Sequence, residues 1–261
     1  MKVLIAALAA FGTTSALPQQ QTSSVSTAPT ATPTYVTPQD NTKLLEELAN
    51  APSTLTRFKR LLTVDGKGEK LLEPQQLAER TVFDFNNAKP NNGAKGGATK
   101  SANIETFPIL SGLGLSTTVG FLTGCGMNTP HVHPRATEFL TVVEGSLNFG
   151  YILENGLVSA GQNAEINGTL AQFQGTVFPI GSVHYQFNPT CDNATFVATL
   201  DNADPGTSQM AQTFFGLNPD VVNATLGFPK AVDGKDIESF RKLIPANIAL
   251  AVEECVRRCG L

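Results

Sequence analysis

His131, His133 and His184 are all the histidines of this 261-residue chain. The first two stand in HVHPRATEFL, residues 131 to 140, one valine apart, and Glu138 follows five residues after the second. In a strand, residues i and i+2 point to the same side, so both imidazoles can reach one point. Glu138 falls at an odd step from His133, and a regular strand would turn it away. Pro134 lacks a backbone donor and disfavours a regular strand, so a bend there is expected to return Glu138 to the histidines. His184 lies downstream in FPIGSVHYQFN, on an expected strand that begins after a Pro-x-Gly turn.

Three imidazoles and one carboxylate make a sound set of metal ligands. Neutral imidazole suits Zn, Fe, Mn, Cu or Ni, and the carboxylate shifts preference toward harder ions. On an octahedral ion, four protein ligands leave two positions for water, dioxygen or a substrate. An isolated His-x-His is more often surface decoration. Here no histidine falls outside the proposed set, and a glutamate stands at workable spacing.

Other chemistries lack their parts. No G-x-S-x-G turn is present for a hydrolase nucleophile. Ser182 stands two residues from His184, but no orienting acid accompanies it. GAKGGATK, 93 to 100, has a glycine-rich texture, yet its lysine is not in the G-K-[ST] position of a phosphate loop. No nucleotide-cofactor motif is visible.

The elements that must hold this set follow from the rest of the chain. The formal net charge is −4 and no basic block stands out, so nucleic acid is not an expected partner. Residues 1–16, MKVLIAALAAFGTTSA, combine a lysine, a short apolar run and small residues, the pattern of a secretory signal. The run is too short to span a bilayer. A secreted, extracellular protein is therefore expected, with no membrane partner after cleavage and the cell wall as a candidate location. Asn167, Asn193 and Asn223 each begin an Asn-x-Thr glycosylation acceptor. Four cysteines are an even number that can pair outside the cell.

Residues 17–40 are rich in Ser, Thr, Pro and Gln and are expected to form a disordered tail. Residues 41–82 read as a helical extension. Leu44, Leu45 and Leu48 share one helical face, and Leu55, Phe58, Leu61 and Leu62 repeat the spacing after Ser53, a fitting N-cap. Residues 86–102 read as a Gly/Asn/Lys loop. From about Thr106 to Phe215, short segments such as LSTTVGFL, EFLTVV and TFVATL alternate with Gly, Pro and Asn turns, the signature of an all-β barrel or sandwich. Toward the end, Ile248, Val252, Cys255, Val256 and Cys259 mark one face of a final helix after a break at Pro245.

The pattern resembles the germin branch of the cupin family, closest to its fungal and slime-mould spherulin-like members. That branch carries G-x5-H-x-H-x3,4-E-x6-G, then G-x5-P-x-G-x2-H-x3-N. His131, His133, Glu138 and Gly145 match the first motif; Pro179, Gly181, His184 and Asn188 match the second. TFPILSGLGLS and QTFFGLNP are also similar to germins, and the likeness covers roughly residues 80 to 255. Two motif glycines are replaced, one by Cys125 and the other by Phe173, both at turns or strand starts.

The resemblance implies a mainly β fold, a cupin jelly-roll β-barrel over 83–228 with short N-terminal helices and C-terminal helices over 229–261. It implies a manganese ion, with iron and zinc as alternatives, held by His131, His133, Glu138 and His184, and a small anion or dioxygen species at the metal. It also implies a homo-oligomer, often a hexamer. Some germins oxidise oxalate and others dismute superoxide. The oxalate-oxidising members use two asparagines near the metal; Asn128 matches one, as a candidate catalytic residue, and Thr118 stands at the other position. The alternative reading is a non-enzymatic extracellular wall, stress or storage protein that retains the site.

Germins usually carry a disulfide near the mature N-terminus, and this chain lacks those cysteines. In a jelly roll the two motif strands run side by side and antiparallel, so position numbers across the pair have a near-constant sum. Cys125 with Cys191 fits that sum, and a bridge between them is expected to pin the metal-bearing strands. A strict register would turn His184 away from His131 and His133, so a bulge is expected near Gly124, Gly126, Pro130 or Pro189. Cys255 and Cys259, one helical turn apart, are expected as buried thiols, bridged to each other only if the helix frays.

Overall fold

In a computed structural model of the chain, residues 41–91, 93–227, 243–245, 247–250 and 252–261 are described. The secretory signal, the 17–40 tail and most of the helical expectation before Pro245 lie outside the described residues.

The N-terminal extension forms α1 (Thr42–Ala49), α2 (Thr54–Leu62) and α3 (Pro74–Thr81). Ser53 caps α2 by accepting the Thr56 N–H at 3.1 Å, which satisfies one of the helix's orphan donors. α3 carries no long apolar stripe and was not legible in the sequence; Pro74 at its first turn supplies a preset φ.

Eleven strands follow among the described residues. They are β1 (Gly97–Ala102), β2 (Ser116–Leu122), β3 (Gly126–Val132), β4 (Glu138–Glu144), β5 (Ser146–Ile152), β6 (Ile166–Ala171), β7 (Gly175–Phe178), β8 (Val183–Phe187), β9 (Ala194–Leu200), β10 (Ser208–Gln209) and β11 (Ala249–Leu250). The end of the expected 86–102 loop is thus strand, because β1 pairs with β2 along six residues. Short helices α4 (Met210–Phe215), α5 (Pro219–Thr225) and α6 (Glu253–Cys259) complete the order.

All pairing is antiparallel. One sheet runs β1-β2-β9-β4-β7 and the other β10-β3-β8-β5-β6, with β11 on the edge of β3. The result is a jelly roll whose two sheets remain separate ladders rather than closing into one barrel. Period-two alternation makes the core: along β4, Glu138, Leu140 and Val142 face in while Phe139 faces out. Leu122, Leu140, Val142, Phe178 and Phe196 of the first sheet meet Leu147 and Leu170 of the second. Each such side chain, when fully buried, contributes about 1.5–3 kcal/mol of transfer free energy.

The C-terminal segment departs from the expected helix. Ile248 has a left-handed φ of 61°, Ala249 and Leu250 extend along Met127 and Gly126, and α6 begins only at Glu253. The expected Cys125–Cys191 bridge is also overturned. Cys125 pairs with Cys255, and Cys191 pairs with Cys259. Cys125 and Cys191 do lie close, since the Cys125 N–H donates to the Thr190 carbonyl, but α6 supplies the disulfide partner of each.

Candidate metal centre

β3 carries His131, His133 follows directly after its last residue, Val132, and β8 carries His184. Met127 faces Phe187 and Asn128 faces Gln186, then the register shifts by one residue, and His131 faces His184. The extra residue sits at Thr129–Pro130, where proline cannot donate to the ladder. This bulge turns His131 inward beside His184, and their ring centroids lie 4.2 Å apart.

The bend expected at Pro134 is present as a turn at Pro134–Arg135, and it leads Glu138 into the opposite sheet rather than back along the same strand. β3 ends at Val132 and Glu138 opens β4, which belongs to the opposite sheet. The residues between them form the crossing, and Glu138 faces the histidines from across the sandwich. All four side chains are buried. Four ligand atoms, one from each, lie within 4.8 Å of one another.

Backbone carbonyls fix the tautomers. His131 Nδ1 lies 2.8 Å from Thr129 O, His133 Nδ1 2.6 Å from Gly206 O, and His184 Nδ1 3.0 Å from Ser182 O. A carbonyl only accepts, so each Nδ1 donates and each Nε2 is left free to coordinate. His184 Nε2 is buried with no hydrogen-bond partner. His133 Nε2 lies 2.9 Å and His184 Nε2 3.6 Å from Glu138 Oε2. A buried nitrogen without a hydrogen-bond partner, grouped with two more imidazoles and a carboxylate, fits a divalent cation.

The electrostatics agree. Burial pushes the His131 imidazole down to about 3, helped by the neighbouring His184 imidazole. Burial also opposes charge on His133, but the Glu138 carboxylate outweighs it and raises that imidazole. Burial alone would raise Glu138, yet the close approach of His133, with His184 and His131 nearby, holds it well below the usual carboxylate range. A carboxylate that stays ionised while buried is what a cation requires.

Asn128 and Gln186 sit one step along the same strands. Asn128 Nδ2 donates to Gln186 Oε1 at 3.0 Å, leaving Asn128 Oδ1 and Gln186 Nε2 buried and unpartnered. Turning both amides over would still leave one donor and one acceptor free. Gln186 was missed in the sequence, although it stands two residues after His184 and so shares its face. Thr118 lies on the inward side of β2 with its hydroxyl 2.7 Å from that of Ser101, on β1. The carbonyl anchors of the histidines carry no signal in residue type, because any residue supplies a carbonyl.

The replaced motif glycines are explained by backbone geometry. Cys125 has φ 57° and Phe173 has φ 64°, both in the left-handed region that favours glycine. Cys125 is held there by its disulfide; Phe173 is 77% exposed and has no such tie.

Residues 83–233 match the family described as Cupin. The chain is 37% identical to Spherulin-1B of Physarum polycephalum over 241 residues, which covers 91% of this chain and 87% of that protein. Spherulin-1A of the same organism is 38% identical over 84% of this chain and 79% of its own length. Germin-like protein 4-1 of Oryza sativa subsp. japonica is 32% identical over 73% of this chain and 77% of its own. Among solved structures, a recombinant oxalate oxidase in complex with glycolate aligns with TM-score 0.51 at 23% identity, covering 67% of this chain and 86% of that one. The coconut allergen cocosin aligns with TM-score 0.55 at 16% identity, covering 71% and 49%. These last two likenesses speak to the fold.

Proposed function

The chain belongs to the cupin family, as a germin-like member close to the spherulins, and from that premise we propose that it binds manganese through His131, His133, Glu138 and His184 and performs redox chemistry on superoxide or oxalate. The observation that carries this reading is the tautomer lock. Three Nδ1 atoms are committed to carbonyls, so three Nε2 lone pairs are left free in a group whose four ligand atoms, with the buried Glu138 carboxylate, lie within 4.8 Å of one another. The cation would supply Lewis acidity and a change of oxidation state next to two exchangeable positions.

The protein's own groups do the rest. The Nδ1 anchors keep the imidazoles oriented. Glu138 keeps negative charge in a buried place. Asn128 and Gln186 offer one free donor and one free acceptor beside the histidines, suited to orienting a small anion or holding a proton. The Thr118 hydroxyl, already engaged with Ser101, cannot copy an amide's paired donor and acceptor. This favours superoxide, which asks less of the surroundings, over oxalate.

Two disulfides support an oxidising, extracellular location. Phe139 and Val177, cross-strand neighbours, are exposed on the outer face of β4 and β7, which supports association of copies. Protein purified with manganese should hold one ion per chain and consume superoxide or release peroxide from oxalate. A folded His133→Ala variant with rates equal to the parent's on both substrates would leave the non-enzymatic reading, a wall, stress or storage protein. The absence of stoichiometric metal would sink the site reading itself.

A further inference from the structure

The four cysteines form one cluster rather than two independent staples. Cys125 and Cys255 are buried, whereas Cys191 is exposed and Cys259 partly so. The two bridges touch: Cys125 Sγ lies 3.5 Å from Cys259 Sγ, although neither is the other's partner. Arg258 Nη2 lies 3.6 Å from Cys255 Sγ. The same guanidinium donates to the Pro189 carbonyl, which holds it in place. The carbonyls of Pro189 at 3.6 Å and Thr190 at 3.9 Å are also within reach of Cys255 Sγ.

This arrangement has the parts of a disulfide relay. The exposed bridge offers access, Cys259 is poised as an internal nucleophile, Cys125 is the buried electrophile, and Cys255 is a leaving sulfur beside a cation that stabilises its negative charge. We propose that the cluster is a thiol–disulfide exchange site, in which a small dithiol enters at Cys191–Cys259 and Cys259 then opens the buried Cys125–Cys255 bridge.

The steps balance. A thiolate of the dithiol attacks Cys191 Sγ and displaces the Cys259 thiolate. The second thiol of the reagent resolves the mixed disulfide, so the dithiol becomes a cyclic disulfide and its two electrons leave Cys191 as a thiol and Cys259 as a thiolate. Cys259 Sγ attacks Cys125 Sγ, forming Cys125–Cys259 and displacing Cys255, with no net electron transfer. Cys255 takes a proton from solvent and donates to the Pro189 or Thr190 carbonyl. A second dithiol reduces Cys125–Cys259.

The consequence reaches the metal-bearing strand. β11 pairs with Gly126 and Met127 of β3, and Asn247 Oδ1 accepts from the Thr129 N–H at 3.2 Å and the Thr129 hydroxyl at 3.1 Å. Thr129 O in turn anchors His131. The bridges hold this C-terminal clasp on the edge of β3, exchange leaves it tied by Cys125–Cys259, and the second dithiol unlatches it.

The test is a time course of the full chain with limiting dithiothreitol at neutral pH, quenched with acid and alkylated, then mapped by peptide mass spectrometry. The expected result is early loss of Cys191–Cys259 and a transient Cys125–Cys259 peptide with Cys191 and Cys255 alkylated. In a Cys191→Ser/Cys259→Ser double variant, loss of Cys125–Cys255 should slow by about tenfold or more, because the internal nucleophile is gone. Arg258→Gln should lower the yield of the transient peptide. Absence of any Cys125–Cys259 peptide in the parent chain would overturn the proposal, and that arm stands even if the double variant fails to fold. Equal loss rates in a folded double variant would overturn it as well. Neither readout depends on metal or on redox activity at the histidines.

Discussion

His131 and His184 are direct cross-strand partners only because β3 gains one residue on β8 between Asn128 and His131. Below the bulge Asn128 faces Gln186, and above it His131 faces His184, so four polar side chains from two strands line one inward face. Glu138 meets them from the other sheet. The centre therefore depends on three things at once: one register shift, one sheet-to-sheet crossing and three carbonyl anchors.

Glu138→Gln keeps the size of the side chain and removes its charge. Metal affinity is expected to fall by about tenfold to a hundredfold. Titration of the metal-free protein with manganese, followed by calorimetry, checks this. An unchanged affinity would show that the carboxylate is not a ligand.

Asn128 and Gln186 share one buried hydrogen bond, so removing one partner strands the other. Asn128→Leu is expected to cost about 1–3 kcal/mol, and Asn128→Leu/Gln186→Met less than the sum of the two single changes. Denaturant unfolding of the four proteins measures the coupling. Additive costs would mean that the amide pair carries no mutual energy.

Phe173 holds a left-handed φ while exposing 77% of its surface. Left-handed backbone costs a non-glycine residue about 1–2 kcal/mol, and glycine gives back about 0.5–1 kcal/mol through the unfolded chain. Phe173→Gly should therefore stabilise the protein by up to about 1 kcal/mol. A lowered thermal midpoint would refute this, and metal content should not change.

A Cβ on Gly96 would lie 2.0 Å from the Ala249 carbonyl oxygen. That oxygen is backbone, so the strand that clasps β3 must move. Gly96→Ala is expected to raise the proteolytic sensitivity of the C-terminal segment with both disulfides intact. Cleavage at the parent's rate would show that the clasp tolerates the shift.

Asp65 binds its own turn. The Lys67 N–H is the largest cause that lowers its carboxyl, with Glu69, Gly68 and Thr63 adding to it, down to about 2. A folded-state value below the unfolded one contributes stability above the unfolded value of about 3.9, lost as pH falls through about 2. Amide exchange at Lys67, Gly68 and Glu69 should accelerate across that acid window in the parent and show no such step in Asp65→Ala.

Some of this was legible before any fold was known. Ser53 as a cap, the apolar alternation of β2, β4 and β9 and the need for a bulge beside Pro130 are local or parity arguments, and they hold. α3 was missed because its turns carry no buried stripe, and the start of α6 was set too early because Ile248 joins the core from a left-handed backbone rather than a helix.

The sequence by itself determined the chemistry. All three histidines and a well-spaced glutamate fall in two short stretches, and residue type alone decides which groups can hold a cation. Tertiary structure decided how they meet and what is tied to what. The route of Glu138 depends on which sheet β4 joins, and the partners of Cys125 and Cys191 lie 130 and 68 residues away. Periodicity reports which face of an element is apolar; it says nothing about which distant element comes to rest against that face, because that choice is made by packing over the whole core.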